Sequence, residues 1–220
     1  MDSLPDLIAR VTRFPALCAA LEDLVSVLEG AADRAASPFV ETERLVVSAT
    51  RGVGVAAVTE ALRGLDPGAE RIVVDGVEYR RLPEPTLGRY EVLDGVARVL
   101  RHLYREAGVR NGPTVDPIAL RAGVIDGMTP CAVEAVGQLV QALPTREAHE
   151  VAGAMRVLGM SRASLQRRAE SLGACWEEHR FEGADACVRA VELPREAAAI
   201  SVCVDRVSTP MAEPKPRPVG

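Results

Sequence analysis

Apolar positions recur at helical spacing across residues 1–35: Leu4, Leu7, Ile8 and Val11, then Leu17, Leu21, Leu24, Val25 and Leu28. Pro15 breaks the run and Gly30 closes it, which predicts a helical hairpin used for packing or self-association. A second helical stretch begins near Ser37-Pro38, proline favouring a first turn, and runs to Asp66 as one interrupted helix or two. The period changes at Glu70. ERIVVDGVEYRRL gives two β-rich runs about Asp75-Gly76, a two-residue hairpin signal. RYEVLDGVARVLRHLYRE repeats the pattern with a turn at Asp94-Gly95. Its return strand alternates Val99 and Leu103 with Arg98 and Arg105, interrupted at Arg101-His102. Residues 70–107 are therefore expected to form a small antiparallel sheet with an arginine-bearing face, either solvated or in contact with phosphates.

Residues 108–193 return to helical spacing after a turn-rich start. A short helix is expected over Ile118 to Ile125. Thr129 as cap and Pro130 at the first position then open a helix to Leu143, burying Val133, Val136, Leu139, Val140 and Leu143. The stretch Pro144–Arg180 reads as helix, tight turn, helix. Thr145 caps the first helix, whose face carries Val151, Met155 and Leu158. Gly159 permits the reversal, and Ser161 caps a second helix opening at Arg162. Leu165, Ala169, Leu172 and Trp176 form the inward stripe of that helix. Ala163, Gln166, Arg167 and Glu170 face outward, with Arg162, Ser164 and Arg168 on the flanks, and no acidic residue lies between Met155 and Ala169. Such a helix suits a major groove, because arginine and glutamine can pair with base edges and arginine with phosphates. The candidate DNA contacts are Arg162, Ser164, Gln166, Arg167 and Arg168. An ordinary helical hairpin with solvated arginines fits the same pattern. A further helical piece follows to Pro194, then a nearly continuous apolar run, Ala199 to Val204, ending in Asp205. Such a run reads as a strand covered on both faces. The proline-rich tail PMAEPKPRPVG is extended.

Charge narrows the partner class. The net charge of −5 means that any nucleic-acid contact must come from a local patch, and Lys215 is the only lysine. Five scattered cysteines without a C-x-x-C pair read as reduced thiols, and His102, His149 and His179 have no companion at ligand spacing, so zinc is not expected. The string R-G-V-G-V lacks the lysine and the preceding strand of a phosphate loop. No run reads as long and apolar enough to span a membrane, and no secretory signal opens the chain. A cytoplasmic protein, nucleoid-associated when bound to DNA, is expected.

The strings VVDGVEYRRL, LYREAGVRNGPTVDPIALRAGVIDGMTP, LVQALPTREAHEVAGAM, SRASLQRRAESLGACWEEHR and ISVCVDRVSTPMAEPKPRP together resemble the N-terminal part of bacterial DDE transposases of the Kra-type insertion-sequence group. The resemblance runs from about Glu70 onward. It implies an α+β chain: N-terminal helices (1–69), a β-hairpin sheet (70–107), a DNA-binding helical domain with a helix-turn-helix (108–193), and the first strand of an RNase H-like catalytic domain (194–220). It matches Asp205 to the first carboxylate of the catalytic triad. The remaining carboxylates have no counterpart in these 220 residues, so the chain reads as truncated and catalytically incomplete. The family's chemistry implies Mg2+ or Mn2+ held between several carboxylates, which a lone Asp205 would bind weakly. The implied partner is double-stranded DNA at terminal inverted repeats, with a homo-oligomer possible through the N-terminal helices. Two other functions stay open: a stand-alone helix-turn-helix regulator and a helical protein-interaction module.

Overall fold

The computed structural model describes the backbone of residues 3–31 and 38–190, and side chains as far as residue 182. Two compact units divide the chain, residues 1–178 and 179–220. The fold is α+β, as the patterning predicts. Asp205 and the apolar run from Ala199 to Val204 lie outside the described residues.

Helices α1 (Leu4–Val11) and α2 (Pro15–Glu29) meet at Pro15, which opens α2, and Gly30 ends it. A reciprocal capping box between Ser3 and Asp6 starts α1. The start of α2 has no side-chain cap of its own; the Glu60 carboxylate accepts from the Ala16 amide at 2.8 Å instead. Glu60 belongs to α3 (Phe39–Arg63), a single uninterrupted helix that packs along α2. Gly52 and Gly54 lie inside α3, so R-G-V-G-V is helix. A side chain at Gly54 would meet the Asp94 carboxylate at 2.9 Å, so this glycine allows close approach to a hairpin turn. By length and composition α3 is apolar enough to cross a membrane, contrary to the expectation from sequence. Its charges sit mostly near its ends, while Ala, Val and Gly fill its middle. In this fold it packs on α2 and on strand β4 (Gly95–Arg101).

Two sheets form where one was expected. Strands β1 (Arg71–Val74) and β2 (Val77–Arg81) pair about Asp75-Gly76, whose φ values of 50° and 80° are those of a type I′ turn. Strands β5 (Tyr104–Glu106) and β6 (Thr114–Val115) extend this sheet in the order β1-β2-β5-β6. β3 (Thr86–Val92) pairs with β4 alone. Arg101 ends β4 and the chain crosses at His102-Leu103 into the other sheet, so the expected return strand is two strands. The turn also sits one residue earlier than expected: Val92 pairs with Gly95, leaving Leu93-Asp94 as the loop.

One apolar core gathers Leu62 of α3, Tyr90 and Val92 of β3, Ala97 and Val99 of β4, and Ile118 of α4 (Pro117–Ala122). It spans the expected borders at 69/70 and 107/108. Asp116 caps α4 through the Ile118 and Ala119 amides, and Gly123 ends that helix in the left-handed conformation. The second core belongs to α5 (Pro130–Ala142), α6 (Thr145–Met155) and the start of α7 (Arg162–Ala190). The expected inward residues of α5 take part: Val136 is buried, and Val133, Leu139, Val140 and Leu143 pack against it. Thr129 stands at the cap position without capping. Its hydroxyl donates to the Glu91 carbonyl at 3.2 Å, joining the start of α5 to β3. Of the second unit, the described part is the end of α7, where the Arg180 guanidinium lies 4.8 Å from the Phe181 ring centre. The helical piece expected beyond Arg180 continues α7 as far as Ala190.

Candidate nucleic-acid interface

The candidate surface is the start of α7, and the link from α6 sets its position. Pro144, not a threonine hydroxyl, stands at the cap of α6; Thr145 is its first residue, with Glu147 in the first turn. Gly159 does not make the reversal. Arg156 and Leu158 do, with φ of 55° and 51°. Left-handed backbone costs a residue with a Cβ about 1–2 kcal/mol. Specific bonds offset that cost here. The Arg156 amide donates to the Ala152 and Gly153 carbonyls, and the Arg51 guanidinium of α3 donates to the carbonyls of Met155 and Arg156. The Leu158 amide donates to the Leu93 carbonyl at 2.9 Å, and its side chain is buried in the second core. A cation at the last carbonyls of α6 also complements the negative end of that helix.

Ser161 caps α7 as expected, accepting from the Ser164 amide at 3.2 Å. Its hydroxyl also donates to the Ser164 hydroxyl at 3.0 Å, which draws Ser164 into the cap. Leu165 is fully buried and Leu172 packs on the same core. The inward stripe stops there, for Trp176 is exposed, as is Met155 of α6, whose buried residues are Ala148 and Ala152. Arg162, Ala163, Gln166, Arg167 and Glu170 face solvent together. Arg167 Nη2 donates to Ser164 Oγ at 3.4 Å, and Gln166 to Glu170 Oε1 at 3.0 Å. Both bonds are exposed and local, and each side chain can exchange them for a ligand group.

Arg168 departs from the expected set. Its guanidinium pairs with the Asp126 carboxylate, in a turn where Asp126 and Gly127 both have positive φ. The stretch from Met155 to Ala169 lacks acids along the chain, yet folding brings one alongside. Arg168 therefore ties α7 to the 125–128 turn, with its side chain 26% exposed. The remaining four, Arg162, Ser164, Gln166 and Arg167, are brought together on one turn and a half of helix. Asp205 lies outside the described residues and cannot be placed with them.

The arginines of the hairpins also separate. Arg98 is exposed on β4, directly opposite Arg89. Arg101 turns inward: its Nε donates to Asp116 Oδ2 at 2.6 Å, and its guanidinium lies 5.7 Å from the Tyr90 ring centre. The Tyr90 hydroxyl donates to the same carboxylate oxygen at 2.7 Å. Burial first, then the bond to Asp116, pushes the Tyr90 ionisation well above the usual tyrosine range. Arg105 belongs to the four-stranded sheet. Patterning alone missed Asp116, although Asp-Pro before an apolar segment is a cap signal that could have found it.

No family model, curated protein or solved structure matches this chain.

Proposed function

We propose that this chain binds double-stranded DNA with the first turns of α7, as the end-recognising portion of an insertion-sequence transposase. One observation carries the proposal. A serine-capped helix, held by a three-helix core, offers Arg162, Gln166 and Arg167 to solvent, with one carboxylate, Glu170, bonded to Gln166 at the far edge of the set. That set has donors for base edges and charge for phosphates. The resemblance to DDE transposases supplies the biological setting: recognition of terminal inverted repeats, in the cytoplasm and on the nucleoid. The helix-turn-helix assignment of α6 and α7 and the RNase H-like assignment of residues 194–220 belong to the same proposal.

The metal that the resemblance implies has one matched ligand, Asp205. Among the described residues no group of three or more His, Cys, Asp or Glu gathers to hold an ion. The described residues do not form a two-metal cage, and no step is assigned to Mg2+ or Mn2+.

Fluorescence anisotropy with a labelled duplex tests the proposal. The variant with Arg162, Gln166 and Arg167 all replaced by alanine should bind far more weakly. A lost base pairing costs about 1–3 kcal/mol at preferred sites. A lost phosphate contact should lower the salt slope by about one for each contact. Affinity equal to that of the unaltered chain would refute the proposal and favour a protein-interaction module. Binding without preference for terminal repeats would favour a stand-alone regulator.

A further inference from the structure

The outward face of the four-stranded sheet carries an arrangement that sheet energetics disfavour. Arg71 on β1 stands directly opposite Arg80 on β2, and Arg80 stands directly opposite Arg105 on β5. Directly paired side chains lie about 5 Å apart at Cβ, and like charges so placed repel. Two carboxylates answer part of this row. Glu78 pairs with Arg71 at 2.8 Å, and Glu70 with Arg80 at 3.3 Å. Nothing acidic answers Arg105 among the described residues. Its Nη1 donates to the Arg110 carbonyl at 2.8 Å, and its Nε is buried without an acceptor. A buried charged donor left unbonded is costly, so this guanidinium gains by turning toward an anion.

The space for that anion adjoins it. Arg80, Arg81, Arg105 and Arg110 line a cleft of about 690 Å³, whose remaining wall includes Leu82, Pro83 and Val109. The volume is that of a small-molecule site, and the lining combines an apolar surface with a few convergent polar groups. Arg81 is held by the Gly68 carbonyl at 3.0 Å, so part of the cationic rim is fixed before any ligand arrives. Glu70 and Glu106 also line the cleft, which leaves cations in excess.

We propose that this cleft binds a phosphate ester, with Arg80 and Arg105 receiving the phosphate and Leu82, Pro83 and Val109 supporting the organic body. Guanidinium groups match phosphate oxygens in charge and fork geometry. The site is separate from α7 and does not depend on that helix binding DNA. The ester has two possible sources, a free nucleotide or the backbone of DNA, and they share the phosphate.

Isothermal titration of the full chain with inorganic phosphate, adenosine 5′-monophosphate and a short duplex tests the site. The nucleotide is expected to bind saturably, one per chain, and more tightly than inorganic phosphate. Arg80→Ala and Arg105→Ala should each weaken it about tenfold, the scale of one charge-assisted bond. Alanine at Arg162 and Arg167 should leave it unchanged. Displacement of the nucleotide by duplex, lost in Arg80→Ala, would identify the backbone as the source; failure to displace would identify a free ester. Should Arg105→Ala fail to fold, Arg80→Ala carries the test, because that side chain is 66% exposed. No saturable binding of phosphate or nucleotide at millimolar concentration would overturn the proposal. So would binding indifferent to the Arg80 and Arg105 substitutions, or equal affinity for nucleotide and inorganic phosphate.

Discussion

Asp116→Ala should be among the most damaging single substitutions outside the apolar cores. The carboxylate accepts from the Tyr90 hydroxyl at 2.7 Å, Arg101 Nε at 2.6 Å, and the Ile118 and Ala119 amides at 3.1 and 3.2 Å. The Arg101 and Asp116 side chains are 16% and 17% exposed, which places the pair nearer to a buried salt bridge than to a surface one. Breaking a buried pair from one side costs about 3–5 kcal/mol, and residual solvent access favours the lower end. Loss of the α4 cap adds about 1 kcal/mol. Asp116→Ala should therefore destabilise by about 4 kcal/mol, out of the roughly 5–15 kcal/mol typical of a domain. Arg101→Ala should cost about half as much, because Asp116 keeps the tyrosine and both amides. The double variant should show a coupling of about 1–3 kcal/mol. Urea unfolding followed by far-ultraviolet circular dichroism measures all four chains. A cost below about 1 kcal/mol for Asp116→Ala, or strict additivity, would refute this account of the network.

The same network sets a pH dependence at the alkaline end. Folded Tyr90 holds its proton well beyond the usual range, whereas an unfolded tyrosine ionises near pH 10. The protonated hydroxyl thus contributes stability that is complete below about pH 10 and falls as pH rises above it. Tyr90→Phe should flatten that alkaline decline in a series of urea unfolding curves. An unchanged decline would place its origin elsewhere.

Three further outcomes follow from particular residues. Arg168→Ala should lower stability by leaving Asp126 unpaired while preserving the salt slope of DNA binding; a slope reduced by one would return Arg168 to the phosphate contacts. Gly76→Ala should destabilise by about 1 kcal/mol or more, because φ of 80° strains any residue with a Cβ, and an unchanged denaturation midpoint would contradict the type I′ turn. These 220 residues by themselves should neither cut nor join a duplex bearing terminal repeats in manganese, since two-metal transfer needs several converging carboxylates; cleavage abolished by Asp205→Ala would show a working site.

Where the chain's own periodicity decided an outcome, the sequence was sufficient. Pro15 and Gly30 bound α2, Asp75-Gly76 makes its turn, Pro130 opens α5, and Ser161 caps α7, each through forces acting within a few residues. The failures share a different cause. Arg156 and Leu158 take left-handed backbone because Arg51 and Leu93, distant in sequence, satisfy the groups around them, so the obvious candidate Gly159 is not used. Arg168 pairs with Asp126 of the 125–128 turn, and Arg101 turns inward to Asp116. In each case a carboxylate far along the chain outbid solvent for a guanidinium.

The arginine row lies between these extremes and shows where the boundary falls. A two-residue turn at Asp75-Gly76 makes Val74 and Val77 partners, and counting outward puts Arg71 opposite Arg80. That half of the row follows from local register alone. Arg105 joins it because β5 leaves the β3–β4 hairpin and pairs with β2, a long-range event that alternation around Arg101-His102 does not specify. The alternation was nevertheless carrying information at that point. Val99 is buried on β4 and Tyr104 is buried on β5, so a single strand through both would have kept a period of two only by putting them on opposite faces. The break in period marks the crossing from one sheet to the other. An interrupted strand pattern with an arginine on each side of the break is thus better read as two strands, and the charges on either side assigned to separate faces.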